Sequence, residues 1–383
     1  MSGETIAADG KPTTGRRVYR VDHVGSLLRP QRLMQARNAY GAGEIPGQAL
    51  LDVEDECILE AVRRQEHAGL GVVTDGDFRR GAFHIDFLSS FQGIDWDASP
   101  FARGFQGGSS AGESPAVFVT SGKISHGGPI CVDGFSFLRD CTLQTAKVTM
   151  PSPSFAHCRG GRAAIDDKVY PDLDVFFDDL AAAYRAEIAA LAAVGCKYVQ
   201  LDEVHFTFFC DPKMAASLKA RGDDPDDLMR VYARLINDSI RDRPSDMTVG
   251  IHLCRGNRRS SWVAAGGYEP VAERMFNMID ADVFLLEFDD ERSGDFAPLR
   301  FLRKGQHVIL GLVTSKSPVL EAEDTLMRRI DEASRYAPLD QLGIGPQCGF
   351  ASSIPGNLID EDSQWRKLAL CAQVARRTWG RAD

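Results

Sequence analysis

Short apolar runs rich in β-branched residues alternate along this chain with longer stretches whose apolar residues recur every three or four positions. The short runs predict eight strands, over 21–27, 71–77, 147–154, 198–203, 248–256, 283–290, 307–314 and 342–350. Runs such as Val283-Phe-Leu-Leu286 are apolar without alternation, which suits parallel strands buried on both faces. The longer stretches predict amphipathic helices over 50–68, 174–194, 226–240, 271–279, 320–336 and 360–379. In 174–194 the expected apolar stripe is Val175, Leu180, Tyr184, Ile188 and Leu191. Ser317-Pro318 reads as the N-cap and first residue of the helix that follows.

Eight strands with intervening helices predict an α/β fold, a (β/α)8 barrel of the TIM type. The interval after the second strand is too long for one crossover. Residues 88–146 are rich in Gly, Ser and Phe, with turn signals at Gly107-Gly108 and Gly127-Gly128. They are expected to form an insertion over the barrel mouth, a small β meander being one form for it. Residues 18–383 would then be a single catalytic barrel. Residues 1–17, small, polar and Gly/Thr-rich, read as a disordered leader.

A chain of 383 residues suits such a barrel with insertions, and 44% hydrophobic residues is the share of an ordinary soluble globular protein. The net charge of −10, with no long Lys/Arg run, argues against nucleic-acid and anionic-membrane binding. No apolar stretch approaches the ~20 residues that span a bilayer. Nine Cys without paired spacing fit free thiols in a reducing cytoplasm. Base rates favour a homo-oligomer.

The chemistry concentrates in His252-Leu-Cys254, Glu287 and Cys348. His252 and Cys254 are two apart on one strand and share a side of it. Glu287 and Cys348 fall late in two other strands, so all four can converge where strand C-termini meet. Two Cys, one His and one Glu make a ligand set for a borderline-soft cation, Zn2+. The alternative is two buried core thiols and a satisfied core histidine. Two thiolates and a carboxylate would make zinc a poor activator of water but a good site for an incoming thiol, whose pKa falls on binding. Such a set argues for thiol alkylation over hydrolysis.

Other segments end strands in groups suited to a substrate. Asp22-His23-Val24-Gly25-Ser26 has a glycine that lets backbone approach a ligand closely. Asp75-Gly76-Asp77 puts two carboxylates at the mouth. Gln200-Leu201-Asp202-Glu203 ends in adjacent acids that point opposite ways, so at most one faces the centre. These acids could hold an amino group or act as acid/base groups, or merely cap the next helix. Lys316 could bind an anion or act as an acid, or lie on the surface.

Together these segments resemble the cobalamin-independent methionine synthase family: its catalytic C-terminal barrel and the single-barrel methionine synthase II-like proteins. The resemblance runs from about Val21 to Trp379. It is carried by His23-Val-Gly-Ser26, Thr74-Asp-Gly-Asp77, Gln200-Leu-Asp-Glu203, His252-Leu-Cys254, Phe284-Leu-Leu-Glu287, Thr314-Ser-Lys-Ser-Pro318 and Pro346-Gln-Cys-Gly349. It implies zinc held by His252, Cys254, Glu287 and Cys348, and homocysteine taking a methyl group from 5-methyltetrahydrofolate. It also implies a substrate site of His23, Gly25, Ser26, Asp77, Asp202 and Glu203, with Gly25-Ser26 at the amino-acid carboxylate and Asp202 at its amino group. Asp77, Asp202 and Lys316 would be the catalytic residues.

Three departures stand out. The family's separate N-terminal barrel has no counterpart in this sequence. Asp77 stands where the family has Glu in a His-Gly-Glu motif, and Lys316 where it has a His beside the substrate. Two other readings therefore stay open: alkylation of another thiol, such as coenzyme M by an epoxide, and a zinc- or thiol-binding barrel without turnover. Uroporphyrinogen decarboxylase has a related barrel, but the zinc motif argues against that chemistry.

Overall fold

A computed structural model describes residues 16–97 and 117–382. Its strands are β1 (Val72–Val73), β2 (Gln92–Asp97), β3 (Val117–Ser125), β4 (Thr145–Ala146), β5 (Val148–Pro151), β6 (Tyr198–Asp202), β7 (Thr248–Leu253), β8 (Val283–Glu287), β9 (His307–Val313) and β10 (Leu342–Pro346). β5 to β10 form a parallel sheet in chain order. β4 and β5 are one extended segment interrupted at Lys147, whose N–H donates to Val73 O. That segment pairs with β1 at its start and β6 at its end. Val21 bridges to Ile344 of β10, and Leu27 N–H donates to Gly76 O at 3.0 Å. Eight strand positions thus follow one another round a TIM-type barrel.

The first two positions are less regular than the apolar runs predicted. Gly25 takes φ 123°, and a Cβ there would stand 2.7 Å from Thr149 Cγ2. Gly76 and Asp77 also turn into the left-handed region. The extended backbone stops at these bends.

Helices occupy each stretch with helical periodicity: Gly47–Ala68, Leu173–Ala193, Pro225–Ile240, Glu269–Met278, Glu323–Ser334 and Glu361–Trp379. Asp172, Asp224 and Asp360 cap their helices through side-chain oxygens on early N–H groups. In Leu173–Ala193 the buried stripe is Phe176, Phe177, Leu180, Tyr184, Ile188 and Leu191. Val175 is not part of it and is 42% exposed. Ser317-Pro318 does not open a helix; the helix begins at Glu323. The reason is Lys367, whose buried ammonium takes Val319 O and the Glu321 carboxylate and holds that segment extended.

Within 88–146, β2 and β3 pair antiparallel. Thr120 of β3 bridges to Ile165, and Phe118 meets the His84 ring edge-on at 5.8 Å. The Gly107-Gly108 turn lies outside the described residues, as do residues 1–15 of the expected leader. Arg16 and Arg17 lie against the barrel: Arg16 Nη1 is 2.5 Å from Asp282 Oδ1, and Thr248 Oγ1 donates to Arg17 O. No described helix is long and apolar enough to cross a membrane.

Strand alternation gives the barrel an unusually polar interior. Val199 and Leu201 face the helices, whereas Tyr198, Gln200 and Asp202 face inward, beside Asp22 and Lys147. Lys147 is 1% exposed, and its ammonium meets Asp22 Oδ1 at 2.6 Å, Gln200 Oε1 at 2.8 Å and His23 O. Tyr198 donates to the other oxygen of Asp22 at 2.5 Å. Gln200 Nε2 donates to Val24 O at 2.8 Å and Asp202 Oδ1 at 2.7 Å. Burial disfavours the charge on Lys147, and Asp22 opposes that effect.

Lys147→Met leaves Asp22 buried without a cation, and a loss of about 3–5 kcal/mol in unfolding free energy is expected by denaturant titration. Adding Asp22→Asn should recover part of it. A loss under about 1 kcal/mol in the single variant would show that the pair does not hold the barrel.

Burial also pulls the pKa of His157 down to about 4. The ring is neutral in the fold and gains a proton on unfolding below its ordinary value of about 6.5. Its contribution is therefore complete above pH ~6.5 and lost as pH falls through about 4. His157→Gln should lose less stability than the parent between those pH values, measured by unfolding at a series of pH.

Candidate active site

A cleft opens where the barrel strands end. Val24 and Ser26 come from the first strand position, Asp77 from the second and Asp202 from β6. His252 comes from β7, Cys254 from just beyond it, and Cys348 from the loop after β10. Phe83, Ile85, Val204, Phe208 and Val263 make much of the wall apolar.

One ligand atom each of His252, Cys254 and Cys348 lies within 4.8 Å of the others. β7 runs in register with β6, so His252 stands beside Asp202. A shift in the β9–β10 register between Gly345 and Pro346 precedes the loop that delivers Cys348. Gln347 fixes that loop by accepting from Ser315 Oγ at 2.5 Å, and Asn257 Nδ2 donates to Gly349 O at 2.7 Å.

The group fits a zinc-type ion on a structural test. His252 Nδ1 is 3.1 Å from Leu285 O, a pure acceptor, so Nδ1 carries the proton. Nε2 is then a buried lone pair with no hydrogen-bond partner among the described residues. An imidazole oriented by a carbonyl, beside two thiols, is a soft-metal donor set. Cys348 and burial push the Cys254 thiol far up.

Glu287, the last residue of β8, is not among the three clustered residues. Its Oε2 accepts from Arg255 N–H at 2.7 Å, with the Arg255 guanidinium at 3.6 Å. Its Oε1 stands 3.3 Å from Arg292 Nη2 and 3.5 Å from Gln347 Nε2. Arg292 is itself held by Asp290 at 2.6 Å and lies over the Trp262 ring. Of the four expected ligands, three converge and the fourth lies on arginines.

The expected substrate residues divide likewise. Ser26 lines the cleft, and Gly349 leaves room for it: a Cβ on Gly349 would fall 1.9 Å from Ser26 Oγ. Asp77 lines the cleft at φ 59°, with Thr149 Oγ1 at 3.1 Å and Arg80 Nη1 at 3.2 Å from Oδ1. Burial raises its pKa and Arg80 opposes this. Asp202 lines the cleft, pushed up to about 6 by burial, while His252 and Gln200 act the other way.

Glu203 points outward, as adjacent strand residues must, and its oxygens take Ser154 Oγ and His205 N–H, each at 2.6 Å. His23 is buried outside the cleft lining beside Gln65 and Val72, its pKa lowered to about 4 by burial and Lys147. Gly25 bends the chain and is not itself in the lining. Lys316 also stands outside the lining, its ammonium 3.1 Å from Asn257 Oδ1 and 3.4 Å from Gly256 O.

Sequence reasoning passed over Phe83, His84, Arg159 and Arg258, which line the cleft from loops. Arg258 had a signal: the run Arg255-Gly-Asn-Arg-Arg259 directly follows the metal-type motif. Arg159 and His84 had none, since tertiary packing alone brings their loops together.

Glu287→Gln separates the two arrangements. If Glu287 leaves its arginines to join the metal, zinc affinity measured against a chelator should fall about 10–100-fold. Unchanged affinity would leave His252, Cys254 and Cys348 as the whole protein ligand set.

The family model described as "Cobalamin-independent synthase, Catalytic domain" matches residues 21–358. Uncharacterized protein YxjH of Bacillus subtilis is 41% identical, covering 99% of this chain and 100% of its own. The methionine synthase of Pyrococcus abyssi is 24% identical over 92% of this chain and 90% of its own. A solved structure, the putative vitamin-B12 independent methionine synthase from Listeria monocytogenes, has a TM-score of 0.77 at 33% identity, covering 95% of this chain and 99% of that one. With the barrel, the thiol–imidazole group and a match spanning nearly the whole chain, this protein belongs to the cobalamin-independent methionine synthase family.

Proposed function

We propose that this protein is a zinc-dependent S-methyltransferase that forms methionine from homocysteine. The observation carrying this reading is the convergence of His252, Cys254 and Cys348 in a largely apolar cleft. Family membership supports it, as does the naming of the Pyrococcus abyssi relative. Zinc held by these residues would lower a thiol's pKa and keep its sulfur nucleophilic at neutral pH.

The chain's own residues supply the rest. Asp202, held by Gln200, would pair with the substrate's amino group. Ser26, seated against Gly349, would offer its hydroxyl to the carboxylate. Phe83, Phe208 and Val263 would keep water from the reacting carbon. Asp77, buried beside Arg80, is the remaining cleft acid and would serve the departing group of the donor. Lys316, turned to Asn257, is given no contact with substrate. Glu287 is the proposed fourth ligand once it leaves Arg292. The methyl donor is a second small molecule, with 5-methyltetrahydrofolate the first to try, and the enzyme would work in the cytoplasm.

Adding homocysteine to the zinc-loaded protein in weak buffer should release about one proton per site. Coenzyme M and glutathione, run beside it, should release little. Release with another thiol and none with homocysteine would move the activity to a different alkyl acceptor. Cys348→Ser should lower zinc affinity and methyl transfer by at least about 100-fold. Full activity in that variant without metal would sink the proposal.

A further inference from the structure

Three loops meet beside the metal-type group, and a charged side chain that the proposed reaction does not use stands at their junction. They join at the carbonyl of Gly349, the residue after Cys348. It accepts from Asn257 Nδ2 at 2.7 Å, from Ser315 Oγ at 3.0 Å and from Asn357 Nδ2 at 3.4 Å. Ser315 belongs to the loop after β9. Asn257 follows Cys254 by three residues and lines the cleft. Its amide therefore ties the loop of one thiol to the loop of the other.

An asparagine amide fits its space almost equally well in two orientations, and its hydrogen-bond partners choose between them. Asn257 Nδ2 faces Gly349 O and, at 3.3 Å, Ser352 Oγ. Lys316 Nζ stands 3.1 Å from Asn257 Oδ1. An ammonium only donates, so Lys316 keeps the amide oxygen on its own side and turns the N–H groups toward Gly349. With the amide reversed, two acceptor oxygens would meet at Gly349 and its carbonyl would lose a donor. Lys316 is itself fixed. Its ammonium reaches Gly256 O at 3.4 Å, its N–H donates to Thr314 Oγ1 at 3.2 Å, and its carbonyl accepts from Ser260 Oγ at 2.9 Å. The sequence expects this lysine to act on the substrate, but its ammonium is engaged outside the described cleft lining.

We propose that Lys316 is a positioning residue: through Asn257 it fixes where Cys348 stands relative to Cys254, and it passes no proton to the substrate. This rests on the reading above, in which the two thiols hold the metal of a methyl-transfer enzyme. The cation at this position would then serve the metal-binding loops.

Zinc affinity, measured against a chelator on the full chain, tests this without any turnover. Lys316 is half-buried on a loop, so its replacement leaves the barrel core intact. Lys316→Met keeps the length of the side chain, removes the donor and should lower the affinity about tenfold. Lys316→Arg restores a cationic donor and should recover most of the loss. Asn257→Ala should lower the affinity about as much, and adding Lys316→Met to it should lower it no further, since the lysine acts through the amide. The thiolate-to-metal absorption of the cobalt-loaded protein should shift in Lys316→Met and return in Lys316→Arg. Unchanged affinity in Lys316→Met, or losses that add in the double variant, would overturn the proposal. So would the loss of one limb of the pH profile for methyl transfer in fully zinc-loaded Lys316→Met, which would make the lysine an acid. If the parent protein transferred no methyl group to homocysteine, the methyl-transfer reading would fail, while the metal measurements would still decide the role of Lys316.

Discussion

The ion pair between Lys147 and Asp22 is the constraint around which this barrel is arranged. A charge in the interior must meet its partner or destabilise the fold by several kcal/mol. Here the pair joins the first strand position to the third, and Gln200 and Tyr198 bring in β6. The alignment does not stop there. Gln200 also holds Asp202, and Asp202 lies in register with His252. A polar line inside the barrel thus sets where the metal-type group and the substrate acid stand relative to one another.

Above that line the charges are sorted by wall. The thiols and the lone pair of His252 occupy one region, with Asp202 beside them. Arg80 balances Asp77, while Arg255 and Arg292 balance Glu287. Arg159 Nη1 stands 3.4 Å from the His84 ring at another edge of the cleft. Apolar rings lie among these groups, so each charge acts in a medium less screened than water. A site of this kind can hold a polar substrate at its ends and keep its reacting carbon dry.

What could be read from the chain follows from how local each signal was. Strands β6 to β10 were legible because both of their faces are buried, leaving uninterrupted apolar runs. The first two positions were less so, because Gly25, Gly76 and Asp77 bend them for reasons visible only in three dimensions. The metal-type residues were legible by identity, and three of them meet. The arginines that hold Glu287 come from a separate turn and the residue after Cys254, and spacing gave no warning of them. Lys147 looked like the polar start of a strand; its role depends on Asp22, over a hundred residues earlier. Val175 was placed on the buried stripe because it is apolar, but Phe176 and Phe177 occupy that face.

The His252, Cys254 and Cys348 group has a mechanical side as well. These residues belong to strand positions five and eight, and the chain between them includes all of β8 and β9. A cation gripped by all three would act as a clasp across the barrel mouth, closing a long loop without a covalent bond. Because the clasp exists only in the folded chain, its strength adds to the stability of the fold in proportion to how fully the site is loaded. The lifetime of this protein in a cell would then follow the supply of its metal, whether or not any substrate were present.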